Sequence, residues 1–228
     1  MAKLLSFSSL RKLDYLLIAG PIATATAYTL LTGEFDTLGF IVLVAGVMGV
    51  VLSANRSILN FFFGLINVGV YGYIALESQY YGGAALHLLY YAPMQFIGYW
   101  AWRKRKDEGD ESKVQSRSMS RKQMALWGVV IAVATAILWW ILARYTDDSQ
   151  PLKDAAITII AIVAQYLMTC AYWEQWILWL MINLLSVTLW TVATINGEPH
   201  AALMVVKYAF YTINAINAIY IWRKNKKE

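Results

Sequence analysis

Apolar residues arrive in eight long runs separated by short polar stretches: Asp14–Thr32, Asp36–Ser53, Ser57–Leu76, Gly82–Trp102, Gln123–Arg144, Asp154–Ala171, Gln175–Ile195 and Pro199–Trp222. A helix rises 1.5 Å per residue, so about 20 residues cross roughly 30 Å of hydrocarbon. The pattern predicts an all-α membrane protein with eight transmembrane helices. Strands of a membrane barrel would be shorter and would alternate strictly, and these runs do neither.

Composition agrees with the pattern. Hydrophobic residues make up 59 % of the 228 positions, charged residues 14 %, and mean hydropathy is +0.49, too little polar surface to cover a soluble domain. A pI near 9.2 raises the question of nucleic acid. The basic residues cluster between the apolar runs, which is the distribution of a topology signal, so no nucleic-acid partner is expected. Arg11 and Lys12 before an apolar stretch with Ala25-Thr26-Ala27 resemble a signal peptide, but the run from Tyr15 to Leu31 is long for one and reads as a retained helix. Cys170, the single cysteine, leaves no intrachain disulfide and no metal set.

Charge fixes the expected orientation. Lys3, Arg11, Lys12, Arg56, eight residues between Arg103 and Lys122, and Arg223, Lys224, Lys226 and Lys227 place sixteen basic residues on one side, against Arg144 and Lys153 on the other. That asymmetry predicts both termini in the cytoplasm. The outward turns are short and acidic or Gly/Pro-bearing, at 33–36, 77–79, 147–151 and 196–199. Residues 104–122, with interleaved acids and serines, read as a solvated cytoplasmic linker.

An internal repeat emerges when Asn67 is laid on Asn183. Asn60, Phe63 and Asn67 then match Trp176, Trp179 and Asn183, and with a few insertions Gln95 meets Asn214 and Trp102 meets Trp222. The expected organisation is an N-terminal helix (1–35), a three-helix unit (36–102), a linker and connector helix (103–146), a second three-helix unit (147–222) and a tail (223–228). Four helices separate equivalent positions, so the units run parallel, a transporter arrangement with its site near mid-depth.

Polar residues inside the runs carry the candidate chemistry. Trp176, Trp179, Asn183, Ser186 and Trp190 share one helical stripe, able to stack a flat ring and hydrogen-bond its edge. An interfacial aromatic belt explains Trp173 and Trp176 equally well; it does not explain Asn183, about 10 Å deeper. Asn67, Gln95, Gln165, Asn183 and Asn214 fall at one depth, a neutral ring for a ligand with an amide and hydroxyls, although each alone fits interhelical packing. Tyr90, Tyr91, Tyr208 and Tyr211 add rings, of which Tyr91 and Tyr211 are the candidates. Lys207 shares the face of Tyr211 and Asn214 and is expected to snorkel to the outer surface. His87 reads as a neutral hydrogen-bonding residue. The apolar middle of the runs holds no Asp or Glu, which favours ligand-only, passive transport. No nucleotide loop, zinc spacing or nucleophile elbow is present, so neither an enzyme, a cofactor nor an ATP-driven pump is expected.

Asn60-Phe61-Phe62-Phe63-Gly64-Leu65-Ile66-Asn67-Val68, Tyr80-Tyr81-Gly82 through Tyr90-Tyr91-Ala92-Pro93-Met94-Gln95-Phe96-Ile97-Gly98-Tyr99, and the Trp-x-x-Trp-x-x-x-Asn of Trp176, Trp179 and Asn183 resemble the Pnu family of vitamin-precursor transporters. The resemblance spans about Asp36 to Trp222, with departures at Gly83, His87 and Gln95. It implies a 3+1+3 helical fold related to the SWEET sugar carriers, often with one more N-terminal helix, assembled as a homotrimer. It further implies facilitated diffusion of a nucleoside-like vitamin, nicotinamide riboside first, across the bacterial inner membrane, made one-way by a cytoplasmic kinase. Trp176, Trp179 and Asn183 would touch the substrate, with Asn67 as repeat partner. Thiamine or riboflavin transport on the same scaffold, and a membrane scaffold or receptor subunit that binds without transporting, are the alternatives.

Overall fold

The computed structural model describes residues 10–33, 35–77, 81–147, 150–196 and 201–227. Eight long helices carry it: α1 Lys12–Thr32, α2 Thr37–Ala54, α3 Asn60–Glu77, a composite α4, α5 Arg121–Tyr145, α6 Pro151–Thr169, α7 Gln175–Ile195 and α8 Ala201–Lys224. Helix α4 runs without interruption through Tyr81–Ala85, a π-helical stretch Leu86–Tyr91 and Ala92–Lys104. Pro93 has no N–H to offer Leu89, so the α pattern cannot pass through this point. The Ala92 N–H bonds instead to the His87 carbonyl, five residues back. Each predicted run corresponds to one helix; the expected start at Pro199, the residues Lys3 and Glu34, and the turn positions 78–79, 148–149 and 197–198 lie outside the described residues.

Six helices close a ring: α2 touches α3, α3 touches α4, α4 touches α6, α6 touches α7, α7 touches α8, and α8 returns to α2. Helix α1 packs outside against α2 and α8, and α5 outside against α6. Asp14, fully buried, pins α1, since it accepts from the Arg11 N–H (2.8 Å) and the Asn217 amide (3.3 Å) while Arg11 donates to Asn217 Oδ1 (2.7 Å). Helix α5 has a capping box, Ser120 with Gln123, and buries none of its own residues; its contact with α6 includes Trp127 on Tyr166 at 5.2 Å. Among the described residues α2, α5, α6 and α7 are long and apolar enough to cross a membrane. Polar residues dilute the other helices, Asn60 and Asn67 on α3 and Lys207, Asn214 and Asn217 on α8.

The end of the ring that carries the 105–120 linker repeats one device twice. Arg56 after α2 and Ala171 after α6 both take left-handed backbone, φ 62° and 60°, at a cost of roughly 1–2 kcal/mol each for a residue with a side chain. The reversed turn lets Arg56 and Ser57 bond back to Ser53 and Leu52, and Ala171 and Tyr172 to Met168 and Leu167, all at 2.9 Å. Such helix stops satisfy carbonyls that would otherwise lack partners. Trp102, ending α4, donates its indole N–H to Met168 of α6 (2.9 Å), and Trp222, ending α8, donates to Ser53 of α2 (3.1 Å). Both indoles are fully buried, with centroids 5.6 Å apart.

The linker is not solvated as its composition suggests. Val114 and Ser116 are fully buried, because the two left-handed turns leave the Arg56 and Ala171 carbonyls pointing out of the bundle, and the Val114 and Arg117 amides take them at 2.9 and 2.8 Å. Trp173 N–H returns a bond to Arg117 (3.0 Å), and β1 Ser116–Arg117 pairs in parallel with β2 Lys226–Lys227 of the tail. Glu174, 4 % exposed, accepts from the Met119 N–H (2.8 Å) and the Ser118 hydroxyl (3.0 Å), and Arg56 pairs with Asp107 at 2.7 Å. Desolvation alone would raise the Asp107 pKa; bonds from the Arg56 guanidinium and the Gly109 N–H outweigh it and hold the carboxyl below its ordinary value.

Candidate substrate site

All five predicted carboxamides sit on helices of the ring, and four of them, Gln95, Gln165, Asn183 and Asn214, are buried. Asn67 on α3 donates to the Val42 carbonyl of α2 at 2.8 Å. Gly46 makes room for this contact: a Cβ there would sit 2.8 Å from Asn67 Nδ2 and 3.1 Å from Tyr211 Oη, so the two side chains meet over its bare backbone. Asn214 on α8 donates to Val50 (3.1 Å), and among the described residues its buried Oδ1 has no partner. Gln165 on α6 is buried, with Nε2 unpartnered among the described residues. Asn183 on α7 is 7 % exposed and has no hydrogen-bond partner among the described residues. Gln95 bonds within its own helix, to Tyr91 at 3.2 Å, and its Oε1 lies over Gly64 of α3.

Aromatic rings stand beside these groups. Tyr91 and Trp179 pack against the same apolar cluster of Ile160, Ala161 and Ile182, which brings α4, α6 and α7 together. The π stretch of α4 carries His87, whose Nδ1 lies 2.9 Å from the Gly83 carbonyl and whose ring is 4.2 Å from Tyr71 and 5.1 Å from Tyr91. π turns inside α-helices occur often at functional sites. Tyr90 is committed to structure, donating to Ile162 at 2.7 Å.

Trp176 lies in the cluster with Ala171 and Trp222, against which Trp179 also packs; its ring is 6.2 Å from that of Trp222 and its Nε1 is buried without a partner among the described residues. Two expectations change. Lys207 does not reach for the outer surface: its Nζ is 5.5 Å from the Tyr208 ring and 5.7 Å from the Tyr211 ring, where tyrosine faces offer the ammonium a nearer partner than water. The two turns also match in a different register from the one expected. The matched turns lie 115 residues apart, and Phe61 packs on Trp102 (4.8 Å) as Trp176 packs on Trp222, so Phe61 matches Trp176 and Val68 falls where Asn183 stands. Laying Asn67 on Asn183 shifts this by one residue.

Some polar residues escaped the sequence reading. Asn217, one turn beyond Asn214, holds α1 through Asp14. Gln175 is fully buried with neither amide atom partnered. The signal for Asn217 was its spacing of three from Asn214 on one helix face; nothing marked Gln175.

A buried polar atom without a partner costs about 1–3 kcal/mol. Gln165 Nε2 and Asn214 Oδ1, with the free carboxamide of Asn183, therefore favour a ligand that brings donors and acceptors among flat rings. Among the described residues no three metal-ligating side chains converge. Of the buried carboxylates, Glu174 is bonded to Ser118 and Met119 of the linker and Asp14 to Arg11 and Asn217.

Residues 36–224 match the model of the nicotinamide mononucleotide transporter family. The chain belongs to this family. Relatives within reach of it include the nicotinamide riboside transporter PnuC of Neisseria mucosa, 33 % identical over 192 residues that cover 82 % of this chain and 72 % of the relative. The Haemophilus influenzae transporter of the same name is 33 % identical over 183 residues, covering 79 % and 76 %. The Escherichia coli one is 25 % identical over 209 residues, covering 81 % and 84 %. The crystal structure of the vitamin B3 transporter PnuC matches with a TM-score of 0.80 at 28 % identity, over 96 % of this chain and 93 % of that one. Family membership makes the chain a multi-pass membrane transporter and not an enzyme. Helix α1 precedes the family match and belongs to the structural one.

Proposed function

We propose that this chain carries nicotinamide riboside across the bacterial inner membrane by facilitated diffusion. All eight helices span the bilayer, with both termini and the linker on the cytoplasmic side, as sixteen basic residues against two favour. The helices form a 3+1+3 arrangement behind α1, with α2–α4 and α6–α8 as parallel units about an axis along the membrane normal. The twin turns at Arg56 and Ala171 and the crossed Trp102 and Trp222 bonds support that symmetry. The names borne by the relatives support the substrate.

The observation that carries this reading is the Asn183 carboxamide, buried without a hydrogen-bond partner among the described residues one helical turn from Trp179, together with the orphaned Gln165 Nε2 and Asn214 Oδ1 on α6 and α8. A pyridinium ring gains about 0.5–2 kcal/mol over an aromatic face. The carboxamides then read the substrate's amide and ribose hydroxyls. With the buried carboxylates Asp14 and Glu174 already bonded, the ring has no carboxylate partner for a coupled ion among the described residues. Transport is therefore ligand-only, and cytoplasmic phosphorylation by a kinase makes it one-way. A homotrimer, which the resemblance implies, completes the assembly.

Calorimetry on purified protein tests the substrate, and flux into proteoliposomes tests the mechanism. Nicotinamide riboside should bind in preference to nicotinamide, and flux should not change when proton or sodium gradients are collapsed. Equal or absent binding of both removes the assignment, with preferred thiamine or riboflavin pointing to the alternative carrier. Binding without flux would mean a receptor.

A further inference from the structure

Outside the ring, the lower part of α8 lines a groove of about 440 Å³ with Ile216, Ile219, Tyr220, Arg223, Lys224 and Lys226. The order along the helix is apolar, then aromatic, then cationic. Ile216 and Tyr220 are 56 % and 64 % exposed, although a folded chain usually covers such side chains. From Ile216 to Lys226 the chain descends about 15 Å, the distance from acyl chains to headgroups on one side of a bilayer.

The cations are available. None of Arg223, Lys224 and Lys226 joins an ion pair among the described residues, whereas the acids of this end are engaged: Asp107 with Arg56, Asp110 with Lys113, Glu111 with Lys106, and Glu174 with Ser118 and Met119. They are also held in place. The tail strand Lys226–Lys227 pairs with Ser116–Arg117, the Asn225 carbonyl accepts from Gln115, and Arg223 rests 5.1 Å from the Trp173 ring. A loose basic tail attracts any anion weakly; a basic cluster fixed above an apolar groove matches a molecule that is anionic at one end and hydrocarbon at the other.

We propose that this groove binds one anionic phospholipid of the surrounding leaflet, its acyl chain along Ile216 and Ile219 and its phosphate against Arg223, Lys224 and Lys226. The inference rests on the membrane fold and is independent of the transported substrate. The lipid joins the tail to α8 on the face opposite the ring interior, where Asn214 lies.

Native mass spectrometry on the delipidated full-length protein, titrated with phosphatidylglycerol, with phosphatidylcholine of the same chains, and with inorganic phosphate, is the test. Phosphatidylglycerol should bind one to one and phosphatidylcholine should not. The paired change Lys224→Gln with Lys226→Gln should weaken phosphatidylglycerol about tenfold or more, given what each surface cation contributes. Lys104→Gln with Lys122→Gln, the same charge removed outside the groove, should leave it within about twofold, and Lys224→Arg with Lys226→Arg should restore it. Riboside binding by calorimetry should be the same in all four proteins. Equal binding of phosphatidylcholine, displacement by inorganic phosphate, an unaffected Gln variant, or disulfide-linked copies through Ile219→Cys would each overturn the proposal, the last two cases meaning an unspecific surface and a protein-covered groove.

Discussion

The turn after α2 and the turn after α6 are near copies, whereas the helices that follow them differ within three turns. At the turns, left-handed residues, backward bonds and the crossing tryptophans all recur 115 or 120 residues apart. Farther along, Asn67 is tied to Val42, while Asn183 has no partner among the described residues and stands as far from its turn as Val68 does from the other. Helix α4 contains a π stretch and α8 does not. Matching bonds close the linker end. Farther in the two stretches differ, as they must if one ligand with a different group at each edge is to lie between them.

The largest test of that contrast is Asn183→Leu, which should weaken nicotinamide riboside by about 2 kcal/mol, some thirtyfold, in calorimetry and leave thermal stability nearly unchanged. Asn67→Leu should do the opposite, lowering the melting temperature more than the affinity, because its amide already serves Val42. If both lose affinity equally, the middle is as symmetric as the turns. Next comes Lys207→Gln. With the ammonium turned to Tyr208 and Tyr211, a cationic ligand about 10 Å away at an effective dielectric near 20 feels about 1.7 kcal/mol of repulsion, so the variant should bind nicotinamide riboside more tightly, up to about twentyfold. Weaker binding would point to a ligand without positive charge.

Trp102→Phe and Trp222→Phe probe the symmetric end. Each removes one indole N–H from a helix-end carbonyl that keeps its backbone donor, costing about 0.5–1.5 kcal/mol of stability, and the two denaturation shifts should agree. Unequal shifts would break the equivalence of the turns. The smallest effect concerns Asp107. Its folded pKa lies below the unfolded 3.8, so its contribution is present above that value and is lost as pH falls through the folded one. Protection of the Val114 and Arg117 amides against hydrogen exchange, relative to the intrinsic rate at each pH, should stay flat from about pH 7 to 5 and fall below about 4, and Asp107→Asn should abolish the step.

Run length made the eight helices legible, since only bilayer-long apolar runs are spaced this way. The π stretch was not, because hydropathy is the same in either hydrogen-bond pattern; Pro93 was the one signal. The linker misled because interleaved Lys, Asp and Ser suggest solvent, and what draws it down are two left-handed turns made by Arg and Ala rather than the Gly that would announce them. Matching like with like, Asn67 on Asn183, differs by one residue from the match of the two turns, which sets the unlike pair Phe61 and Trp176 together. Asn183, Gln165 and Asn214 were found because a carboxamide in an apolar run needs a partner; their missing partners could be seen only in three dimensions.

The bond from Trp222 to Ser53 spans 169 residues. During synthesis α2 therefore enters the membrane long before the indole that covers its last turn exists, and the ring stays open until the final helix arrives. Biogenesis of this transporter ends with a closure event rather than with gradual growth, and a chain stopped a few residues short of Trp222 would leave an early helix, not a late one, unfinished.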